Sequence, residues 1–189
     1  MNKASSNVNP FYSFHSTAEF GRGFYKNHCG PTALTNLVIT TLQKQQGRIF
    51  SADEAREIFE EIASLGRRRL IYNRRYGTTD IFLWFYSNAV FKKTGVTDLI
   101  RPATRHTISG SNARKILARG SYLLIELFGH PKYGWHQMLI YGTDDDGRFI
   151  TADGFKSEPV FLDDQSIGRG LFLEIKKTGQ EGRNPDGFL

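Results

Sequence analysis

The hydrophobic pattern changes period at Gly120, and that change restricts the fold more than any other feature of the chain. Before it, apolar residues recur at helical spacing; after it, they come in short runs parted by turn signals. Pro31 suits a first helical turn, and Leu34, Leu37, Val38 and Leu42 continue a stripe that Gly47 ends. Thr32, Thr35, Thr40 and Thr41 are poor helix formers, so tertiary packing must hold this segment as a buried central helix. Ser51-Ala52-Asp53-Glu54 is a capping box, followed by Ala55, Ile58, Phe59, Ile62 and Leu65, with Gly66 as the expected stop. A third helix is predicted from Thr79-Asp80 through Ile81, Trp84, Phe85 and Phe91 to Lys93, with Trp84 and Phe85 in the core and Gly95 closing it. A short fourth runs from Ser111 or Asn112 to Arg119. Strand-like runs follow at 122–127, 137–141, 148–152, 159–162 and 171–175, with Asp146-Gly147 as a hairpin turn. The expected fold is α+β, a single domain over residues 1–189, with a helical half packed on one side of a curled antiparallel sheet. Phe11-Tyr12-Ser13-Phe14 reads as a short strand, and residues 1–10 and 178–189 as loose.

The formal charge is +6, with arginines at 67–69 and 74–75. No nucleic-acid recognition motif accompanies them, so they read as a solvated helix end and loop, and no nucleic-acid partner is expected. No run reaches the roughly 18 apolar residues of a membrane span, and the first residues lack the apolar core of a secretory signal. Asp144-Asp145-Asp146 lacks the alternating ligands and distal Glu of a calcium loop and reads as a turn. The single cysteine cannot form an internal disulfide or a multi-thiolate zinc site, and the expected setting is cytoplasmic, with no metal and no cofactor. Aromatic residues make up 13% of the chain, enough for a ring-rich core with rings left over for a groove.

That leaves packing or reactivity for Cys29. It lies in Asn27-His28-Cys29-Gly30-Pro31-Thr32-Ala33-Leu34, where a loop turns into a helix. Unpaired N–H groups and the helix dipole at such a position favour thiolate, so the expectation is a lowered pKa. A cysteine nucleophile needs a base, and the base needs an orienting group. His136 starts one strand and Asp153 ends the next. With the turn at Asp146-Gly147, the arms would pair residues whose numbers sum to about 293, which brings His136 and Asp153 close if they share a face. Asp153 has a second reading as a turn cap, since Asp-Gly is a turn signal. Trp135 would shield the His136 hydrogen bond or lie in the core. His28 reads as a loop histidine, and His15, His106 and His130 as surface or hydrogen-bonded residues.

Three segments, in this order, resemble the papain-like cysteine peptidases. The closer likeness is to the bacteriocin-leader-processing type and its stand-alone relatives, the C39-like peptidases. They are Asn27–Leu34, then Gly134-Trp135-His136-Gln137-Met138-Leu139-Ile140-Tyr141-Gly142, then Gly147-Arg148-Phe149-Ile150-Thr151-Ala152-Asp153, with Gly120–Ile125 similar to the lead-in strand. The likeness spans roughly residues 23–155. It implies a papain-like fold with Cys29 as nucleophile, His136 as general base and acid, and Asp153 orienting the imidazole, acting on a peptide or peptide-like amide. A thiolate beside an imidazolium at a helix start reaches a pKa of about 3–4. One departure stands out. The family places a glutamine about six residues before the cysteine, where its amide helps hold the oxyanion; here that position is Gly23, and residues 21–28 contain no glutamine. Asn27 or His28 could supply the second donor. Three functions therefore stay open: a hydrolase, an acyltransferase or transglutaminase-like enzyme with the same trio, and a weakly catalytic papain-fold binding protein.

Overall fold

The computed structural model of the chain describes residues 27–73, 75–78, 80–107, 109–167 and 170–178. The strand expected at Phe11–Phe14, the first ten residues, expected to be loose, and the tail beyond Thr178 lie outside the described residues.

Helix α1 (Cys29–Gln46) is buried along every residue from Gly30 to Leu42, so its threonines sit inside the protein. Thr35 and Thr41 satisfy their hydroxyls by bonding back to the carbonyls of Pro31 and Leu37, at 2.8 Å each. Gly47 caps the helix in the left-handed region at φ 65°. Helix α2 (Ala52–Arg68) starts on the expected capping box, with both reciprocal bonds between Ser51 and Glu54 present. It does not stop at Gly66. That residue is buried inside the helix, where a Cβ would stand 2.6 Å from Tyr86 Oη and 2.8 Å from Tyr72 Cβ, so its glycine serves close packing.

A two-residue ribbon, β1 (Tyr72–Asn73) and β2 (Gly77–Thr78), leads through a 3-10 turn (Asp80–Phe82) into α3 (Leu83–Thr94). The buried stripe of α3 is Leu83, Tyr86, Ser87, Val90 and Phe91. Trp84 and Phe85 fall off that stripe; Phe85 is 60% exposed, which corrects the expectation that they are core.

The main sheet has six strands, all neighbours antiparallel: β3 (Ile100–Thr107), β8 (Gly170–Lys177), β4 (Tyr122–His130), β5 (Gly134–Thr143), β6 (Phe149–Ala152) and β7 (Val160–Leu162), in that spatial order. Helices α4 (Gly110–Ala118) and α5 (Asp164–Ile167) complete the described elements. The α+β class is thus as expected, but the helices do not all lie on one side. Helices α1, α2 and α3 share a core with Leu124, Leu139, Ala152, Leu173 and Ile175. Helix α4 places Ala113 and Ile116 with Leu123, Ile125, Met138, Ile140 and Phe172, the alternate residues of the same strands. The sheet is covered on both faces because each of its central strands carries apolar residues at odd and even positions alike. Among the described residues no helix is long and apolar enough to cross a membrane.

Gly66→Ala should destabilise the fold by about 1–3 kcal/mol, the cost of overpacking a filled core. The new methyl displaces Tyr86, whose hydroxyl donates to the Ile62 carbonyl at 2.7 Å. Urea unfolding followed by near-ultraviolet circular dichroism measures it.

Candidate active site

Glycine decides how the nucleophile helix meets the sheet. A Cβ on Gly30 would stand 2.7 Å from Thr78 Oγ1 and closer still to Gln137 Oε1. With no side chain there, the first turn of α1 settles directly on β5 and the β1–β2 ribbon. Gln137 donates through Nε2 to the Thr78 carbonyl at 2.9 Å, which ties the two together beneath that turn. On the other flank, Gly154 (φ 75°) brings the chain after β6 so near that a Cβ would lie 3.1 Å from Thr32 Cγ2. Asn27, itself at φ 54°, donates through its amide to the Arg75 carbonyl at 2.6 Å and closes the loop ahead of the helix.

Cys29 is the first residue of α1 and retains partial solvent access. Backbone N–H groups of Gln137, Gly30 and Cys29 itself are directed at its sulfur. They favour the thiolate, yet the surrounding protein outweighs them. Burial, helped by the charge of Glu126, pushes the Cys29 thiol above its ordinary value. The expected lowering of this pKa is therefore corrected: the helix terminus contributes in the foreseen direction, and desolvation is larger. Glu126 pairs with Gln137 across β4 and β5, is buried, and accepts from the indole N–H of Trp135 at 2.9 Å.

Alternation along β5 turns Gln137 toward α1 and His136 toward the side of Met138 and Ile140. Sulfur and imidazole thus flank the one peptide that joins residues 136 and 137. The His136 ring is buried and stacked on Phe155 (centroids 4.7 Å apart, planes at 19°) and on Tyr133 (5.5 Å, 12°). Its Nε2 lies 2.6 Å from the carbonyl oxygen of Asp153. A carbonyl only accepts, so Nε2 carries the hydrogen, and in the neutral ring the basic lone pair is on Nδ1.

His136 and Asp153 are brought together as expected, but through a different atom. The β5–β6 register sets Leu139 opposite Ala152, where the expected turn pairing would set it opposite Gly154. Asp153 then follows directly on β6, and its carboxyl group is used elsewhere. Oδ1 accepts from the backbone N–H groups of Phe155 (2.9 Å) and Lys156 (3.2 Å), and Oδ2 from the Tyr133 hydroxyl (3.2 Å). The side chain caps a turn while the main chain holds the histidine, so both readings of Asp153 apply in part.

Neither residue expected as a second oxyanion donor is arranged as one. The Asn27 amide is engaged on Arg75. The buried His28 ring bonds Thr32 Oγ1 through Nδ1 at 2.9 Å and meets Phe59 edge-on at 5.4 Å, which fixes it toward α2. Trp135 is neither core nor shield; it is 74% exposed and packs edge-on against Phe128. Sequence reasoning missed Gln137, Glu126 and Tyr133. Gln137 adjoins His136 in a buried strand, where an amide side chain was a usable signal. Nothing in the sequence marks Glu126, since its proximity to Cys29 arises only from strand pairing. His130 receives the N–H groups of Lys132 and Tyr133 on Nδ1 and so closes the β4–β5 connection. The Asp144–Asp146 run forms the β5–β6 turn, with Asp144 bonded to Arg148. Among the described residues no group of three or more His, Cys, Asp or Glu side chains is arranged for a metal ion.

No protein-family model matches the chain, and no curated protein matches it by sequence.

The pH at which iodoacetamide alkylation of Cys29 reaches half its limiting rate should lie above that of a free cysteine peptide. Glu126→Gln should move it down, because the removed negative charge opposes the thiolate. A variant whose profile does not move, or moves up, would contradict this assignment of the field at the sulfur.

Proposed function

We propose that the chain is a papain-like cysteine hydrolase of the C39-like type, acting on a peptide or peptide-like amide. The observation that carries this reading is that the Cys29 sulfur lies against the backbone of Gln137, the residue next to His136. The sulfur faces the Gln137 N–H, and the adjoining imidazole is held by Nε2 on the Asp153 carbonyl. A nucleophile at a helix start, a histidine with a defined tautomer and a group that orients it are the parts thiol acylation requires.

The chemistry runs from a neutral thiol rather than a preformed ion pair. Nδ1 of His136 takes the thiol proton as the sulfur attacks the carbonyl carbon. The C–S bond forms, the C–N bond breaks, and the same proton passes to the departing amine. Water, activated by the freed Nδ1, then hydrolyses the thioester and restores the thiol. The N–H groups that converge on the sulfur favour its anionic form as the proton leaves. The exposed rings of Trp135 and Phe155 border the site and give a substrate apolar surface to lie on.

A second reading draws on the raised thiol. A papain-like scaffold with a poorly ionised cysteine would bind peptides and turn them over slowly or not at all.

Peptidyl electrophiles, such as acyloxymethyl ketones of varied sequence, separate the two readings. A hydrolase should give a mass increase confined to Cys29, absent in Cys29→Ala and slowed about 10²–10⁴-fold in His136→Ala, the usual range for loss of a general base. Labelling as fast in His136→Ala as in the parent would sink the catalytic pairing and leave the binding protein.

A further inference from the structure

We infer that Tyr133 is a positioning residue for His136, and that it acts through Asp153, whose carbonyl rather than carboxyl group holds the imidazole. The inference rests on the hydrolase reading for its catalytic meaning, but the geometry behind it is independent of that reading. The hydroxyl of Tyr133 donates to Asp153 Oδ2, and the Tyr133 ring lies nearly parallel to the His136 ring. One side chain therefore touches both partners of the Nε2–carbonyl bond. Lys132 donates to the same hydroxyl at 2.9 Å, leaving the phenol proton to Asp153. The other carboxyl oxygen gathers the N–H groups of Phe155 and Lys156. Those bonds curl the chain so that the ring of Phe155 covers the second side of the imidazole.

The consequence is a division of labour within one residue. The carboxyl group fixes the turn at residues 153–156, and the carbonyl, delivered by that turn, fixes the ring. A carbonyl dipole orients and selects the Nε2–H tautomer without placing a full negative charge on the imidazole. Replacing the carboxyl by an amide keeps an oxygen for the two backbone donors, reverses the Tyr133 bond so that the amide donates to the hydroxyl oxygen, and leaves the carbonyl untouched. A carboxylate bonded directly to the ring would behave differently, since losing an opposite charge in contact moves a pKa by about 1–3 units.

The test is long-range nitrogen–proton correlation NMR of the histidine side chains in the full chain, through a pH titration of the parent, Asp153→Asn, Tyr133→Phe and Asp153→Ala. The parent should show His136 as the Nε2–H tautomer. Asp153→Asn should keep that tautomer, with a midpoint moved by well under 1 unit. Tyr133→Phe, which retains the stacked ring, should mix the two tautomers and lower the His136-dependent alkylation rate of Cys29; Asp153→Ala should do the same more strongly. A midpoint shifted by 1 unit or more in Asp153→Asn would overturn the role of the carbonyl. A pure Nε2–H tautomer in folded Tyr133→Phe would overturn the role of Tyr133. Both readouts come from the ring itself, so they stand or fall separately from any failure of Cys29 to form an acyl adduct.

Discussion

The first turn of α1 is buried end-on against the sheet, and most of what surrounds Cys29 follows from that. A helix start presents N–H groups that need partners, and a buried group left without one costs about 1–3 kcal/mol. Three connecting segments converge on that turn. The loop before the helix is tied at Asn27 to Arg75, the β1–β2 ribbon is tied at Thr78 to Gln137, and the turn after β6 rests on Thr32. The second and third approaches are close because a glycine, Gly30 or Gly154, stands where a side chain would intrude. The site is thus a junction of backbone segments, and its chemistry is dominated by backbone donors and acceptors.

That same burial sets a contest of magnitudes at the sulfur. A helix terminus contributes about 0.3–1 kcal/mol at an exposed position and up to about 2 kcal/mol when partly buried. Desolvation can move a buried group by up to about 3–5 pKa units, at 1.36 kcal/mol each. The burial that makes the N–H groups effective therefore also makes the charge expensive. Glu126 adds to the cost from the neighbouring strand. A nucleophile in such surroundings is best generated only when a base is in place to receive the proton, which suits a histidine with a fixed lone pair.

The helical half was legible because its signals are local. The capping box at Ser51, the stop at Gly47 and the closure at Gly95 each appear where the residue chemistry requires them. The strand runs after Gly120 were equally plain, since turn residues separate short apolar blocks. Three features escaped for physical reasons. Strand β3 contains Pro102 and lies at the sheet edge, where proline is tolerated and the period-2 signal is weak. Gly66 has the same sequence signature as a helix stop, and only its contacts with Tyr86 reveal a packing role. Helix α4 is too short to announce which face of the sheet it covers. At the site, the pairing of His136 with Asp153 was readable from the hairpin; the atom through which they pair was not. That depends on the register at Leu139 and Ala152.

Asp153 shows why a residue's role can differ from the role its identity suggests. An aspartate before a glycine is a strong turn former, and here it forms the turn. With one carboxyl oxygen committed to that turn and the other to Tyr133, the group that meets the imidazole is the carbonyl of the same residue. The rings of Tyr133 and Phe155 then confine the imidazole from its two faces, so orientation comes from stacking and one short hydrogen bond together. An orienting group of this kind is specified by the conformation of four residues rather than by the identity of one. It tolerates changes of side chain that preserve the turn and fails with changes that do not. The local fold, more than any single acidic group, determines whether the ring is ready to accept a proton.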